Sequence, residues 1–423
     1  MNIPNESKKR IVIVGGGFGG LHFAKSMANA GFQLVLLDKQ NYHAFQPLFY
    51  QVATAGLEPG SIAYPFRKIF SGKKDFYFRM TEVLEIKAES NTICTTIGEL
   101  YYDYLIIATG ATSNFFGLDN IEQLSMPMKS VSEALDIRSL LLQNFEKALL
   151  SDDLKEREAL MSVIIVGGGP TGVELAGAIA ELRKDILPND YPDLDVRAMD
   201  VHLIEANDRL LKVMSSFSSE NAYNALKSMG VDIWLNTRVK DYDGKKAFCS
   251  DGRELSGAML IWAAGVKAAI PGGISVEKIS GGRIKVDEYC RVIGLSNVFA
   301  IGDAAEFCTE VFPNGLPMVA QPAIQQGRYL ARNFKRSLDV ASWKSFEYKD
   351  LGSMATIGRN KAVTELPKVK LKGWIAWIAW LFVHIYQLVG FRNKLVVLIN
   401  WALNYFRHSR DLRLIIRPFK RNS

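Results

Sequence analysis

"IVIVGGGFGG" runs from Ile11 to Gly20, and "VIIVGGGPTG" runs from Val163 to Gly172. Each joins a short β-branched run, which favours a strand, to the pattern G-x-G-x-x-G. The glycines are Gly15, Gly17 and Gly20 in the first copy and Gly167, Gly169 and Gly172 in the second. In a strand–turn–helix the first glycine makes the tight turn and the second lets backbone approach a pyrophosphate. The third lets the helix pack closely on the strand, and the phosphates sit at that helix's N-terminus. One such turn is weak evidence, because glycine-rich turns are ordinary in α/β domains. Two copies, each behind its own strand, predict two dinucleotide-binding segments.

The repeat continues past the glycines. "FQLVLLDK" ends a strand at Asp38, and "VHLIEAN" ends one at Glu205. A carboxylate there accepts the hydroxyl hydrogens of an adenosine ribose. Asp38 lies 18 residues after Gly20, near the usual spacing, whereas Glu205 lies 33 after Gly172. The stretch from Arg183 to Asp200, with its two prolines, reads as an inserted loop that accounts for the excess. A third echo pairs "YLIIATG" (Tyr104 to Gly110) with "MLIWAAG" (Met259 to Gly265). Gly110 follows Gly15 by 95 residues and Gly265 follows Gly167 by 98, so the echoes keep their spacing.

At 423 residues the chain has room for two or three domains and a sizeable core. Hydrophobic residues at 48% and charged residues at 22% describe a folded protein and exclude a disordered one. The cysteines Cys94, Cys249, Cys290 and Cys308 form no C-x-x-C, so neither a disulfide framework nor a metal site is expected. "MNIPNESKKR" has no apolar run, so no secretory signal is expected there. The net charge of +7 is unevenly placed. From Lys368 to Ser423 there are eleven basic residues and one acid, Asp411, for a net +10, and the remainder carries −3. The basic excess sits in a Trp- and Leu-rich tail. That points to an anionic membrane surface and away from nucleic acid.

"NVFAIGDAA" (Asn297 to Ala305) resembles the late motif of FAD-dependent pyridine-nucleotide oxidoreductases, with Gly302 and Asp303 at its turn. The resemblance implies that Asp303 bonds the ribityl chain of FAD and that a helix N-terminus is aimed at the flavin ring. It also implies a first domain interrupted by a second. The expected fold is α/β, with two Rossmann-like dinucleotide-binding domains and a C-terminal amphipathic segment. The expected divisions are FAD-binding at 1–115 and 285–345, NADH-binding at 116–284, and a membrane-anchoring region at 346–423. Glu205, with Asp208 near it, would repel a 2′-phosphate, which favours NADH over NADPH.

Four further segments, in order, resemble type II NADH:quinone oxidoreductases: "NYHAFQPLFYQVATAGLEP" (Asn41 to Pro59), "GGGPTGVELAG" (Gly167 to Gly177), "AQPAIQQG" (Ala320 to Gly327) and "ATIGRNKAV" (Ala355 to Val363). The resemblance covers nearly the whole chain. It implies electron transfer from NADH through FAD to a membrane quinone, without proton pumping. The flavin contacts it implies are Gln46, Pro47 and Leu48, with Lys39, Val83, Ala108, Thr109, Gly110 and Ala320. For NADH they are Pro170, Thr171, Glu205, Ala264 and Gly265 beside the second set of glycines. Gln321 and Gln325, four apart on one helical face, would offer uncharged amides to a quinone carbonyl. Glu174 reads either as a first-turn acid favourable to the helix dipole or as a functional group between the nicotinamide and quinone regions. Lys361 is a weaker quinone-side candidate, and His22 and His43 read as structural or solvated and not as catalytic. A sulfide:quinone reductase-like enzyme fits the same plan but needs redox cysteines that are missing here. An NADH-sensing flavoprotein without turnover is the alternative from another class.

"GWIAWIAWLFVHIYQLVGF" (Gly373 to Phe391) approaches the length of a membrane span. His384 and Gln387 interrupt it, and Trp374, Trp377 and Trp380 are read as crowding one helical face. A second apolar stretch, Leu395 to Phe406, is too short to span. Lys368, Lys370, Lys372, Arg392, Lys394, Arg407 and Arg410 bracket both. The expectation is two helices lying in the headgroup plane, apolar face down, on the cytoplasmic side of the membrane. A homodimer is also expected.

Overall fold

The strand Arg10–Val14 is buried along its whole length and forms the centre of a five-stranded parallel sheet. In the computed structural model, which describes residues 1–407 and 412–420, its neighbours are Gln33–Asp38 on one side and Tyr104–Ile107 on the other. Phe76–Met80 and Val298–Ala300 close the two edges. The register sets Val14 against Leu37 and Ile107, and these β-branched and leucine side chains fill the core with Val12, Val35, Leu105 and Ala300. Runs buried on both faces are what a parallel sheet demands.

A second five-stranded parallel sheet repeats the plan. Val163–Val166 lies between Val201–Ile204 and Met259–Trp262, with Asp232–Trp234 and Met126–Pro127 at the edges. In both sheets the strand before the glycines pairs with the strand ending in an acid and with the strand ending in Ala-x-Gly. The three echoes of the sequence are therefore three matched strands.

Contacts group the chain into two units. One contains Met1–His43, Tyr64–Thr112 and Val266–Asp350; the other contains Ala44–Ala63, Ser113–Gly265 and Leu351–Ser423. Ala44–Ala63, placed by the sequence with the first nucleotide segment, groups with the second unit. Its helix Phe49–Ala53 packs on the helix Val131–Leu150. In addition, Asn393, Trp401 and Asn404 donate to Ala63 O, Gln51 Oε1 and Gly56 O at 3.1, 2.7 and 3.1 Å.

In the first unit the helices Phe18–Met27 and Ala320–Arg336 lie against each other. A Cβ on Gly327 would sit 2.4 Å from Gly19 O, so only glycine allows that approach. In the second unit the helix Pro170–Asp185 packs under the strand Ser353–Gly358, where a Cβ on Gly177 would meet Ile357 O at 1.7 Å. That strand opens a three-stranded antiparallel sheet with Lys361–Leu366 and Val369–Lys372. The helices Gly373–Gln387 and Phe391–Arg407 follow. Arg410 and Asp411 lie outside the described residues.

Candidate active site

Both glycine turns are built alike. Gly15 and Gly167 have φ of +99° and +113°, a region glycine enters without steric cost. A Cβ there would lie 2.3 and 2.5 Å from the carbonyl oxygens of Ala108 and Ala263. On Gly20 and Gly172 it would lie 1.9 Å from the oxygens of Gly15 and Gly167. These four glycines are required by the chain's own packing. The middle pair is not. A Cβ on Gly17 or Gly169 meets nothing within 4 Å, and their φ of −64° and −73° suit any residue. Glycine facing open space at that place fits a ligand that approaches the backbone.

The helices behind these turns start without help from side chains. Phe18–Met27 and Pro170–Asp185 have glycine N-caps, and Ala320–Arg336 has Val319; none makes a side-chain cap bond or carries a first-turn acid. Their first N–H groups and partial positive charge are left for an anion or dipole. Pro170 and Thr171 are exposed at one such end. The residues present thus fit one dinucleotide at each turn.

The acids close the comparison. The Gly16 N–H donates to Asp38 Oδ2 at 2.6 Å, and the Gly168 N–H donates to Glu205 Oε2 at 2.5 Å. The second oxygen of each accepts another backbone N–H, from Gln40 and Asn207, both at 2.7 Å. Glu205 therefore occupies the place of Asp38 despite its longer spacing. The extra residues fold as a short helix, Leu187–Asp190, and a turn, Val196–Ala198, outside the strand register. Burial pushes the Asp38 carboxyl up, while the two N–H groups oppose this.

Around the first turn, Lys39 is exposed and paired with Glu82 at 2.5 Å, and Val83 begins the strand Val83–Lys87. The Ala108 N–H donates to Val14 O at 2.8 Å. The Thr109 hydroxyl is buried without a partner among the described residues, and Gly110 has φ of +69°. His43 is buried with Nδ1 2.9 Å from Gly16 O, and His22 bonds Phe18 O, so both are structural; burial lowers each to about 4. Ala264 and Gly265 follow the strand Met259–Trp262, with Gly265 at φ +151°. Gln46, Pro47 and Leu48 form a single turn in the second unit, with Gln46 exposed and Leu48 buried.

At the late motif, Gly302 turns at φ +67° and its N–H donates to Gln326 Oε1 at 2.8 Å. Gln326 is fully buried. This residue escaped the sequence reading, which followed the four-residue spacing from Gln321 to Gln325 and passed over its neighbour. Asp303 is half-buried beside Gly302, and Ala320 begins the helix. Gln321 is half-buried in the first turn. Gln325 has both ends of its amide engaged: Nε2 donates to Lys349 O at 2.9 Å, and Oε1 accepts the Lys349 N–H at 3.0 Å.

Glu174 is the fifth residue of its helix, beyond the first turn, and is only 8% exposed. The dipole reading of this residue does not hold. Burial raises its pKa to about 8, opposed by the Thr356 N–H at 3.4 Å and by the neighbouring Trp380 indole. Burial thus favours its protonated form. Lys361 reaches Ser228 Oγ at 3.2 Å on the surface. The cysteines are free, and no metal-binding cluster occurs among the described residues.

A family model described as pyridine nucleotide-disulphide oxidoreductase matches residues 9–327, and one described as NDH2 C-terminal domain matches residues 351–411. Type II NADH:quinone oxidoreductase NdhA of Mycobacterium tuberculosis is 36% identical over 95% of this chain and 88% of its own length. The same organism's type II NADH:quinone oxidoreductase Ndh is also 36% identical, over 95% and 89%. The chain belongs to the type II NADH:quinone oxidoreductases. The structure of NDH2 from Plasmodium falciparum in complex with NADH superposes with a TM-score of 0.89 at 22% identity, covering 97% of this chain and 100% of that one.

The family's C-terminal domain includes the two last helices, and here one expectation needs correction. Trp374, Trp377 and Trp380 do not share a face. Trp374 is 64% exposed, but Trp380 is 1% exposed, stacked on His384 and set beside Tyr50 and Trp401. Six residues turn a helix through about 600°, which leaves Trp380 well away from Trp374. Trp377 stacks on Tyr405. The outward face is instead Trp374, Ile375, Ile378, Phe382 and Tyr386, with Phe382 75% exposed. The helix Phe391–Arg407 buries Val397 but also turns polar groups inward and leaves a row of apolar side chains outside. Its inward side carries Asn393, Trp401 and Asn404, while Leu395, Leu398, Ile399, Leu403 and Phe406 face outward. Among the described residues no helix is long and apolar enough to cross a membrane.

Proposed function

We propose that this type II NADH:quinone oxidoreductase holds FAD at the first glycine turn and NADH at the second, and reduces a membrane quinone without moving protons across the bilayer. The observation that carries the reading is the pair of turns whose middle glycines, Gly17 and Gly169, face open space above uncapped helix ends. FAD, when bound, supplies the two-electron chemistry that links a hydride donor to a quinone. The chain supplies position and charge. Asp38 and Glu205 brace the glycine turns and offer carboxylate to a ribose, and Glu205 disfavours the extra phosphate of NADPH. Gln326 fixes the Gly302 turn, and Asp303 beside it would hold the ribityl chain. Gln46, Pro47, Leu48 and Ala320 are the further residues that, by the family resemblance, would contact the flavin. Gln321 meets a quinone carbonyl, while Gln325 pins the Lys349 backbone beside it. Glu174 stores a proton for the quinone.

The test uses the purified holoenzyme without oxygen. NADH should bleach the flavin absorbance, and a quinone should restore it. Bleaching without restoration by any quinone favours the NADH-sensing alternative.

The helix Phe391–Arg407 supports attachment to a bilayer surface, because its exposed leucine-rich face, with asparagines turned inward, is not that of a water-facing helix. Lys368, Lys370, Lys372, Arg392 and Lys394 add attraction to anionic headgroups, each worth about 1 kcal/mol near the surface. Removing the helices would uncover Phe45, Tyr50 and Thr364, which they cover, so the clean variant changes only outward side chains: Phe382, Leu398 and Phe406 to Ser. It should float with anionic vesicles far less than the parent; equal flotation sinks the attachment. Placement on the cytoplasmic face and assembly as a homodimer complete the proposal.

A further inference from the structure

On the helix Pro170–Asp185, positions 174, 178, 181 and 185 recur at intervals of four, three and four, which places them on one face. All four line a cavity of about 130 Å³ that lies wholly within the second unit. Along this face the carboxylates pass from buried to accessible: Glu174 is 8% exposed, Glu181 is half-buried, and the Asp185 side chain is 32% exposed. Arg359 organises the outer pair. Its backbone N–H donates to Glu181 Oε1, and its guanidinium lies 3.9 Å from Asp185 Oδ2. At the inner end the Trp380 indole N–H lies on the cavity wall and faces the Glu174 carboxyl. A cavity this size has room for ordered water, and the three carboxyl groups with Thr356 and Arg359 supply its polar partners on a wall otherwise largely apolar.

We infer that Glu181 and Asp185, through water in this cavity, are the entry of the path by which Glu174 regains a proton from solvent. The inference rests on the proposed role of Glu174. The overall reaction, NADH + H⁺ + quinone → NAD⁺ + quinol, transfers two electrons and takes one proton from water per turnover. A quinone arriving from lipid brings none. Glu174 gives its proton to the reduced quinone oxygen and becomes a carboxylate that is costly to leave buried. Asp185 and Glu181 collect a proton at the mouth, and the water chain passes it inward over the roughly 10 Å that seven helical residues span. The other titratable or charged groups on the cavity wall are Tyr50, Arg359 and Tyr405.

The experiment compares Glu181→Gln, Asp185→Asn, their combination and Glu174→Gln in the full-length holoenzyme. Flavin reduced with NADH is mixed with quinone in a stopped-flow instrument between about pH 6 and pH 9, with the NADH step as internal reference. The combined variant should reoxidise about tenfold more slowly at the alkaline end and less so at the acid end, where protons are plentiful. Imidazolium, a small diffusible acid, should restore much of the loss. Slowing that ignores pH and imidazolium indicates a merely structural role and overturns the path. If Glu174→Gln is slow and the combined variant is not, the path fails while the role of Glu174 stands. If neither is slow, that role fails as well. Should Glu181→Gln not fold because it weakens the Arg359 bond, Asp185→Asn with imidazolium decides alone.

Discussion

The helix Val131–Leu150 and the helix Pro170–Asp185 belong to the same unit but begin in opposite ways. The first has a full capping box: Ser130 Oγ accepts the Glu133 N–H at 3.1 Å, and Glu133 Oε2 accepts the Ser130 N–H at 2.8 Å. The second begins on Gly169 with no side-chain bond and no first-turn acid. The helix Val131–Leu150 satisfies its own first backbone groups, whereas Pro170–Asp185 leaves them open, as a phosphate site would require. Phe18–Met27, behind Gly17, follows the second pattern. A glycine N-cap costs only a few tenths of a kcal/mol relative to Ser or Asp, so the fold tolerates an open end behind both turns, where a ligand can use it.

The largest effect expected separates glycines the fold needs from glycines the ligand needs. Gly172→Ala forces a Cβ to 1.9 Å from Gly167 O, against backbone that cannot swing aside. Overpacking of this severity costs about 3 kcal/mol or more. Cooperative unfolding of the second unit should shift to clearly lower urea. A variant that unfolds like the parent would mean that the turn can open, and the distinction between the two kinds of glycine would fail.

Gly169→Asp is the converse. A Cβ there meets nothing within 4 Å, and Asp is among the preferred N-cap residues. Without NADH the variant should be as stable as the parent or slightly more so. With NADH its Michaelis constant should rise about a hundredfold, through a lost charge-assisted hydrogen bond and like-charge repulsion of the pyrophosphate. Bound FAD should be unaffected, because that contact belongs to the other copy. A parent-like Michaelis constant would place the dinucleotide elsewhere.

This turn-by-turn logic was legible in sequence because glycine spacing encodes it directly. The duplication, the two acids and the Ala-x-Gly strands are all local patterns, and the parallel sheets place them as the repeat implies. The insertion before Glu205 obscured spacing without disturbing register, since the carboxylate still meets the Gly168 N–H. Gln326 was invisible because its work is to hold a backbone 24 residues away. The last helices were half read. Apolar content and flanking charge were plain, but the tryptophans drew attention to the wrong face. The better signal was Asn393, Asn400 and Asn404 recurring at seven and four, a polar stripe that needs partners inside. Glu174 was marked, yet its burial depends on the strand Ser353–Gly358, nearly two hundred residues later.

A finer contrast is available between the two bracing acids. Glu205→Gln keeps the shape but removes the charge that bonds Gly168 and disfavours a 2′-phosphate. The loss of a charge-assisted bond is worth roughly 1.5–3 kcal/mol, so kcat/KM for NADH should fall about tenfold and the preference over NADPH should narrow. Asp38→Asn should act on flavin retention and leave that preference alone. If Glu205→Gln leaves the NADH/NADPH ratio unmoved, the matching hydrogen bonds in the two copies reflect turn architecture only.

The smallest effect is the control that gives the others meaning. Ser130→Ala removes the acceptor for the Glu133 N–H and half of the capping box, while Glu133 can still reach the Lys129 and Ser130 N–H groups at 2.6 and 2.8 Å. The expected cost is about 1 kcal/mol of unfolding free energy, read from urea denaturation. NADH oxidation, quinone reduction and flavin content should all stay at parent values, because this helix end faces no ligand. Its behaviour should be the mirror of Gly169→Asp, with stability lost and function kept in one, function lost and stability kept in the other. Were Ser130→Ala to weaken NADH binding as well, helix ends in this unit would be coupled to one another. The open end behind Gly169 could then no longer be read as a site set aside for phosphate.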